Sequence, residues 1–392
     1  MLKVKELYER VNNFSSPLDK RYPEVALSKS KKGRQPNILF MSPMLNKQGL
    51  YRMIFPSLEL NANGNFNCII TNIIPEDPTK SIDNFNVPVK PELIQWADYV
   101  VFPTTTQRLN RIMADIKKLN PNVKVFMDVD RNYHKINPNN YLFSRYKPYM
   151  RQIEDNMLYA DAVLFPDRMV EMYYQTLLQN KIKRAVIVPN LLSRFMLDGI
   201  DFNGKRELEG VDPEKKKILI MCEQDDYDDL NFFRDMIDNL TLNIPSAEVV
   251  VFGNYLTFNE KNPLKYTRYT QIKYQDMFTY YQLLHKINAE VAVVPLKREV
   301  FYRPYYKLLE LCSFGYPVFT MNAYPFNHLL QKDVSVFINP QKKSLVNNVD
   351  RMLDDKSERM RIMDNAQKHV FKEFAWFNSK MLEIYYNLFP IQ

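Results

Sequence analysis

From Asn37 onward the chain alternates short apolar runs with amphipathic stretches, and it does so in two series. The first series reads "NILFMSP", "NCIITNI", "DYVVFPTTT", "VKVFMDV", "DAVLFP" and "AVIVPN". Runs this continuously apolar lack the alternation of a sheet with one wet face. They read as parallel strands covered by helices on both sides. The rhythm stops at "DGIDFNGKRELEGVDPEKK" (198–216), a polar stretch holding three of the chain's eight glycines. It restarts with "KILIMC", "AEVVVFG", "AEVAVVPL", "YPVFTM" and "VSVFI". The expected fold is therefore α/β, with two Rossmann-like, doubly wound parallel-sheet domains. Their expected bounds are 36–197 and 216–355, with a linker at 198–215. Residues 1–35 read as a helix ("VKELYERVNNF") and a basic arm ("LSKSKKGRQ"); residues 356–392 read as closing helices with a break around Phe374 to Asn378.

Bulk properties narrow the function classes. The chain has 392 residues, 46% hydrophobic and 25% charged, which is enough for two cores. No run approaches the roughly 20 apolar residues of a membrane span, and the first residues, "MLKVKELYERVNNF", have no signal-peptide core. Cys68, Cys222 and Cys312 sit in apolar contexts without metal or disulfide spacing, so a cytoplasmic setting is expected. The four histidines are scattered, and no metal site is expected. A net charge of +8 points to anionic partners in general: nucleotides, nucleic acid or an anionic membrane face.

In doubly wound units, ligands sit outside the carboxyl ends of the strands. After the first run, "SPMLNKQGLYRMIF" places Gly49 before a helix, where backbone amides can meet an anion or an ordinary turn can form. After "VKVFMDV" come Asp128, Asp130 and His134; the carboxylates suit substrate hydroxyls, or the cap of the next segment. The densest cluster is "VPLKREVFYRPYYKLLELCSFG". Lys297, Arg298, Arg303 and Lys307 fall there directly after a strand and at the start of a helix, an environment suited to a diphosphate. Glu310, three positions after Lys307 on the same helix side, suits a ribose diol; the plainer reading is a surface ion pair between the two.

The segment "YKLLELCSFGYPVFTM" resembles the nucleotide-binding helix of GT-B glycosyltransferases, chiefly the large retaining "glycosyl transferases group 1" family, with its K-x-x-E…G-x-P-V pattern. "VIVPNLLS" resembles that family's interdomain segment, "VVVFGN" the strand and glycine opening its next donor loop, and "FKEFAWFNSKMLEIYYNL" its C-terminal crossing helix. The resemblance covers the C-terminal half by motif and the N-terminal half by organisation. It implies a GT-B arrangement, two domains facing across a cleft with the C-terminal helix crossing back to the N-domain. It implies a nucleotide sugar on the C-terminal domain, with Lys307 at the diphosphate, Glu310 at the ribose and Gly253 and Asn254 near base or phosphates. The acceptor then lies near Gly49 and residues Asp128 to His134. The sequence departs from the pattern at Tyr302, where an acid is typical and Glu299 is the nearest one. It departs again at "MCEQDDYDDLNFF", where Glu223, Gln224 and aspartates replace the usual cations.

The implied reaction is metal-independent retaining transfer from a UDP- or GDP-linked sugar, with no further cofactor. Lys307, Arg303 and helix amides would stabilise the leaving diphosphate, and Asp130 or His134 would serve if a general base is used. The acceptor classes compatible with the basic balance are a glycan, a lipid-linked precursor at the inner membrane face, or a hydroxylated DNA base. A peripheral membrane contact fits the second of these. Two other readings stay open: a GT-B-fold sugar-nucleotide epimerase, and a binding protein that kept the fold without turnover.

Overall fold

The structure is a computed structural model. It describes residues 24–26, 35–41, 46–71, 91–138, 140–197, 200–201, 208, 210–223, 226–254, 264–265, 269–275, 277–296, 304–324, 326–330, 332, 335–339, 342–376 and 378–390. By backbone contacts it divides into two units. The first contains residues 1–134, 144–199 and 376–392, and the second 135–143 and 200–375.

The first unit is built on seven strands: β1 (Glu24–Ala26), β2 (Asn37–Met41), β3 (Asn67–Thr71), β4 (Tyr99–Pro103), β5 (Lys124–Asp128), β6 (Ala162–Phe165) and β7 (Ala185–Ile187). Their order is β1-β3-β2-β4-β5-β6-β7. All pairings from β3 to β7 are parallel, and β1 runs antiparallel to β3 at one edge. The chain winds outward from β2 to β3 and then returns to β4 on the other side, so the topological switch lies between β2 and β4. Strands β2 and β4 are almost wholly buried, as their unbroken apolar runs require. Strand β1 falls in a segment expected to hold only a helix and an arm; that helix and most of the arm lie outside the described residues.

The second unit has six parallel strands: β8 (Lys216–Met221), β9 (Ala247–Phe252), β10 (Tyr269–Ile272), β11 (Val291–Val294), β12 (Val318–Met321) and β13 (Phe337–Asn339). The order β10-β9-β8-β11-β12-β13 is that of a doubly wound dinucleotide fold, with its switch between β8 and β11. One face packs through Ile218, Ile220, Val249, Val251 and Val291 against Phe233, Leu240, Leu345 and Val349. On the other side the buried helix Tyr306–Ser313 lies against Lys356–Phe374, whose Gln367 Nε2 donates to the Ser313 carbonyl at 3.2 Å.

The closing helices are shared between the units. Lys356–Phe374 groups with the second; Trp376 begins the return to the first, where its amide donates to the Leu192 carbonyl at 3.0 Å. Helix Ser379–Leu388 then delivers Phe389 into an aromatic cluster with Phe40, Phe66, Tyr99 and Phe126. Residues 356–375 group with the second unit and 376–392 with the first. Among the described residues no helix is long and apolar enough to cross a membrane.

Candidate functional site

Both sheets carry polar clusters at their carboxyl ends, and the two are built differently.

In the first unit the backbone leaves β2 into a short helix Lys47–Gly49, a π-helical turn Leu50–Ile54 and a helix Phe55–Asn63. The wide π turn sits inside the apolar run "LYRMIF", and it buries Arg52. The Arg52 Nε donates to Asp128 Oδ1 at 2.9 Å and Nη2 to Oδ2 at 2.7 Å, a fork on the carboxylate. Its Nη1 donates to the Val188 carbonyl at 2.6 Å and to Asn190 Oδ1 at 3.0 Å. One guanidinium therefore ties the exits of β2, β5 and β7 together. Burial pushes the Asp128 carboxyl up to about 6, against the pull of Arg52.

Asp130 is fully buried. It accepts from Gln48 Nε2 at 3.0 Å, from the Tyr133 hydroxyl at 2.5 Å and from Arg131 Nε at 2.8 Å. His134 Nε2 lies 2.9 Å from Glu154 Oε1, and Nδ1 lies 3.3 Å from the Tyr174 hydroxyl. The Glu154 carboxylate only accepts, so Nε2 donates to it and Nδ1 of a neutral ring accepts from the Tyr174 hydroxyl, which itself accepts the Tyr133 amide at 3.0 Å. A neutral His134 ring then carries its proton on Nε2, towards Glu154. Each base candidate thus has its acceptor positions used within the unit. At Gly49 the helix has begun two residues earlier than the glycine suggests, and the amide donates to Asn46 Oδ1 at 3.0 Å. The Gly49 amide is thus taken by a side-chain cap.

In the second unit the switch point lies between the ends of β8 and β11. Gly253 closes β9 at φ +138°, and a Cβ there would stand 2.1 Å from the Cys222 carbonyl oxygen. Only glycine lets the β9 exit pass this close to the β8 exit. The side chain of Asn254 then pins the loop to Tyr274, donating to its carbonyl at 3.0 Å and accepting its amide at 3.3 Å. After β8, the Glu223 amide donates to Asp226 Oδ2 at 2.7 Å. Asp226 Oδ1 takes the ammonium of Lys307, the second residue of the helix Tyr306–Ser313.

Lys307 and Glu310 share a helix side but turn to different partners. The Glu310 carboxylate, with no exposure, accepts from the Tyr280 hydroxyl at 2.8 Å on Oε2 and from Tyr281 at 3.4 Å on Oε1. Both tyrosines come from the helix Met277–Ile287. Burial, with Glu223 and Glu310 nearby, pushes the Tyr280 phenol well above its ordinary value, so it remains a donor. Protein groups therefore satisfy Glu310, where its site role suggested a carboxylate held open for a diol.

Of the expected residues, the structure brings Lys307, Glu310, Gly253, Asn254 and Glu223 to one end of the second sheet, and Gly49, Asp130 and His134 to the same end of the first. Lys297, Arg298, Glu299, Tyr302, Arg303 and Gln224 lie outside the described residues. Sequence reasoning missed Arg52, Gln48, Asn190, Tyr174 and Glu154 in the first unit, and Asp226, Tyr280 and Tyr281 in the second. Arg52 had a signal, a lone cation within "LYRMIF"; Tyr280 and Tyr281 stand in "MFTYYQLLHKI", which carries none. Among the described residues no three His, Cys, Asp or Glu side chains come together as metal ligands.

Residues 231–379 match the family described as "Glycosyl transferase-like". No curated protein sequence matches the chain. Among solved structures, sucrose-phosphate synthase from Thermosynechococcus elongatus is 13% identical with a TM-score of 0.61, over 91% of this chain and 100% of that one. Anabaena HepE in complex with UDP and glucose is 12% identical with a TM-score of 0.58, over 90% of this chain and 99% of that one. A mutant of S. aureus TarM, in a complex with fondaparinux, alpha-GlcNAc-glycerol and UDP, is 10% identical with a TM-score of 0.55, over 76% of this chain. The chain spans only 59% of the length of TarM in that complex, and 54% in a second TarM structure. The chain thus has the two-sheet fold of the GT-B glycosyltransferases, and residues 231–379, most of them in its second unit, are similar to the glycosyl transferase-like family.

Proposed function

We propose that the protein is a glycosyltransferase that moves a sugar from a nucleoside-diphosphate donor to an acceptor hydroxyl. One observation carries the reading. Lys307 and Glu310 stand on the helix that follows β11, at the switch point of the second sheet and inside the segment that matches the family. A ligand of a doubly wound sheet is held at that place. The chemistry fits as well: a cation for the diphosphate, and three residues on, a carboxylate for two ribose hydroxyls. Arg298 and Arg303 are proposed to add charge at the diphosphate, and the Gly253–Asn254 turn and Glu223 to border the nucleoside. The UDP and UDP-glucose complexes of HepE support a UDP-linked donor.

The C–O bond from the sugar to the diphosphate breaks as charge builds on the leaving group, and fixed cations there lower the barrier. We propose retention, with the acceptor attacking on the leaving-group side, no protein nucleophile and no metal. The acceptor is placed on the first unit, as a glycan, a lipid-linked precursor or a hydroxylated DNA base. Asp130 and His134 are engaged inside that unit, so a base role for either requires their release from Gln48, Tyr133, Glu154 or Tyr174.

The test is an NMR time course with UDP-glucose and GDP-mannose, with and without EDTA. Release of sugar with its α configuration kept, unaffected by EDTA, is the expected result. A second reading, a nucleotide-binding protein without turnover, is favoured by the engagement of Lys307 with Asp226 and of Glu310 with two tyrosines. Tight UDP binding with no sugar release under any condition would establish that reading instead.

A further inference from the structure

Both groups assigned to the donor are engaged in this structure by the chemistry each would meet on the donor. Lys307, the diphosphate group, holds a carboxylate, that of Asp226. Glu310, the ribose group, accepts two hydroxyls, one on each oxygen: Tyr280 at 2.8 Å and Tyr281 at 3.4 Å. An anion on the cation and a pair of hydroxyls on the carboxylate reproduce the contact pattern of a nucleoside diphosphate. Resting on the donor-site reading above, we propose that Asp226 and Tyr281 set the donor affinity. They are internal stand-ins for a phosphate and for one ribose hydroxyl, and an incoming nucleoside diphosphate displaces both.

Position supports displacement over permanent structure. Asp226 follows β8 and Lys307 follows β11, the two strands that flank the switch point, so a diphosphate seated there meets this ion pair first. Lys307 is also partly open, with a side-chain exposure of 11%, whereas Asp226 is buried at 6%. The Arg52–Asp128 fork is sealed at 1% and 2%. The two tyrosines differ in the same sense. Tyr280 makes a bond of ordinary length, whereas 3.4 Å is at the limit for two oxygens, so Tyr281 yields first and Tyr280 keeps the carboxylate oriented.

A seat filled by an internal group is open for only a fraction of the time, and the apparent affinity falls by that fraction. Removing the internal group restores it. Asp226→Asn keeps an oxygen for the Glu223 amide and takes away the charge held on Lys307. Tyr281→Phe keeps the ring, which stacks on Phe314 at 6.3 Å, and removes the hydroxyl.

The experiment is isothermal titration of the 392-residue wild type, D226N, Y281F and Lys307→Met with UDP and with 2′-deoxy-UDP. D226N is expected to bind both nucleotides roughly tenfold more tightly than wild type. Y281F is expected to tighten UDP by about threefold and to leave 2′-deoxy-UDP unchanged, because only the full diol uses the oxygen that Tyr281 vacates. Binding seen in D226N and not in wild type would support the proposal most strongly. UDP binding that K307M abolishes but D226N leaves unchanged or weakens would overturn the proposal and keep the donor site. UDP binding that K307M does not alter would overturn the donor-site reading, and the proposal with it. Circular-dichroism melts of each variant establish that the titrations report folded protein.

Discussion

Two ion pairs stand at the carboxyl ends of the two sheets, and they differ in how completely the protein has used them. Arg52 gives Asp128 a two-bond fork and spends its remaining Nη1 contacts on the Val188 carbonyl and Asn190. The pair is sealed, and Thr104 further ties the exit of β4 to the Asp128 carbonyl at 2.8 Å. Lys307 and Asp226 join two loop exits by an ion pair that leaves the Lys307 side chain 11% exposed. Similar chemistry at the carboxyl ends of the two sheets gives a sealed rivet in one unit and, on the proposal above, an exchangeable seat in the other. The lesson is that a charged pair at a switch point is informative only once its remaining donors and acceptors have been followed.

The largest effect that would break this comparison is on the stability of the first unit. Arg52→Met leaves the Asp128 carboxylate buried without its fork, and is expected to cost about 3–5 kcal/mol in a urea melt. A loss as small as that of K307M would mean that the two pairs are equivalent.

The next effect is a pH dependence. The folded-state value of Asp128 is raised from 3.8 to about 6, so between those values the folded state holds the proton more tightly than the unfolded state does. The stability that this proton contributes is full below about pH 4 and lost by about pH 6. Two pH units correspond to about 3 kcal/mol. Asp128→Asn removes the term, so stability of the variant relative to wild type should rise by that order between pH 4 and 6, whatever its absolute loss. Parallel curves for the two proteins would contradict the burial of Asp128 as its dominant influence.

A smaller effect sharpens the other side. Glu310→Ala leaves the Tyr280 hydroxyl buried without its acceptor, and should cost about 1–3 kcal/mol in addition to any loss of nucleotide binding. Glu310→Gln keeps an acceptor for one tyrosine, and should lose affinity for UDP with a stability change below about 1 kcal/mol. Unchanged UDP affinity in Glu310→Gln, measured by titration, would remove the residue from the donor site.

Much of the fold was legible because its strands are apolar on both faces. "NILFM", "KVFMD" and "AEVVVF" each announce a covered parallel strand without reference to anything distant. Strand β1 was not legible, since three residues at an antiparallel edge carry no period to read. The site was legible as far as single residues announce themselves. Lys307 and Glu310 stand out against the apolar residues of their own helix, and Gly253 is one of few glycines. Their partners were not legible, because those contacts span the chain. Asp226 is 81 residues from Lys307, Tyr280 is 30 from Glu310, and Asp128 is 76 from Arg52. A cation and an acid three positions apart suggest each other, and only the tertiary fold shows that each is bonded elsewhere.

Hydrogen exchange across the whole chain, with and without saturating UDP, tests the division between the units most directly. The account predicts that UDP slows exchange at the β8 exit around Glu223 and Asp226, at Gly253–Asn254 and over Tyr306–Ser313. It predicts no change over residues 46–52 and 128–134. Protection of those first-unit segments, with the Lys307 helix unaffected, would contradict it.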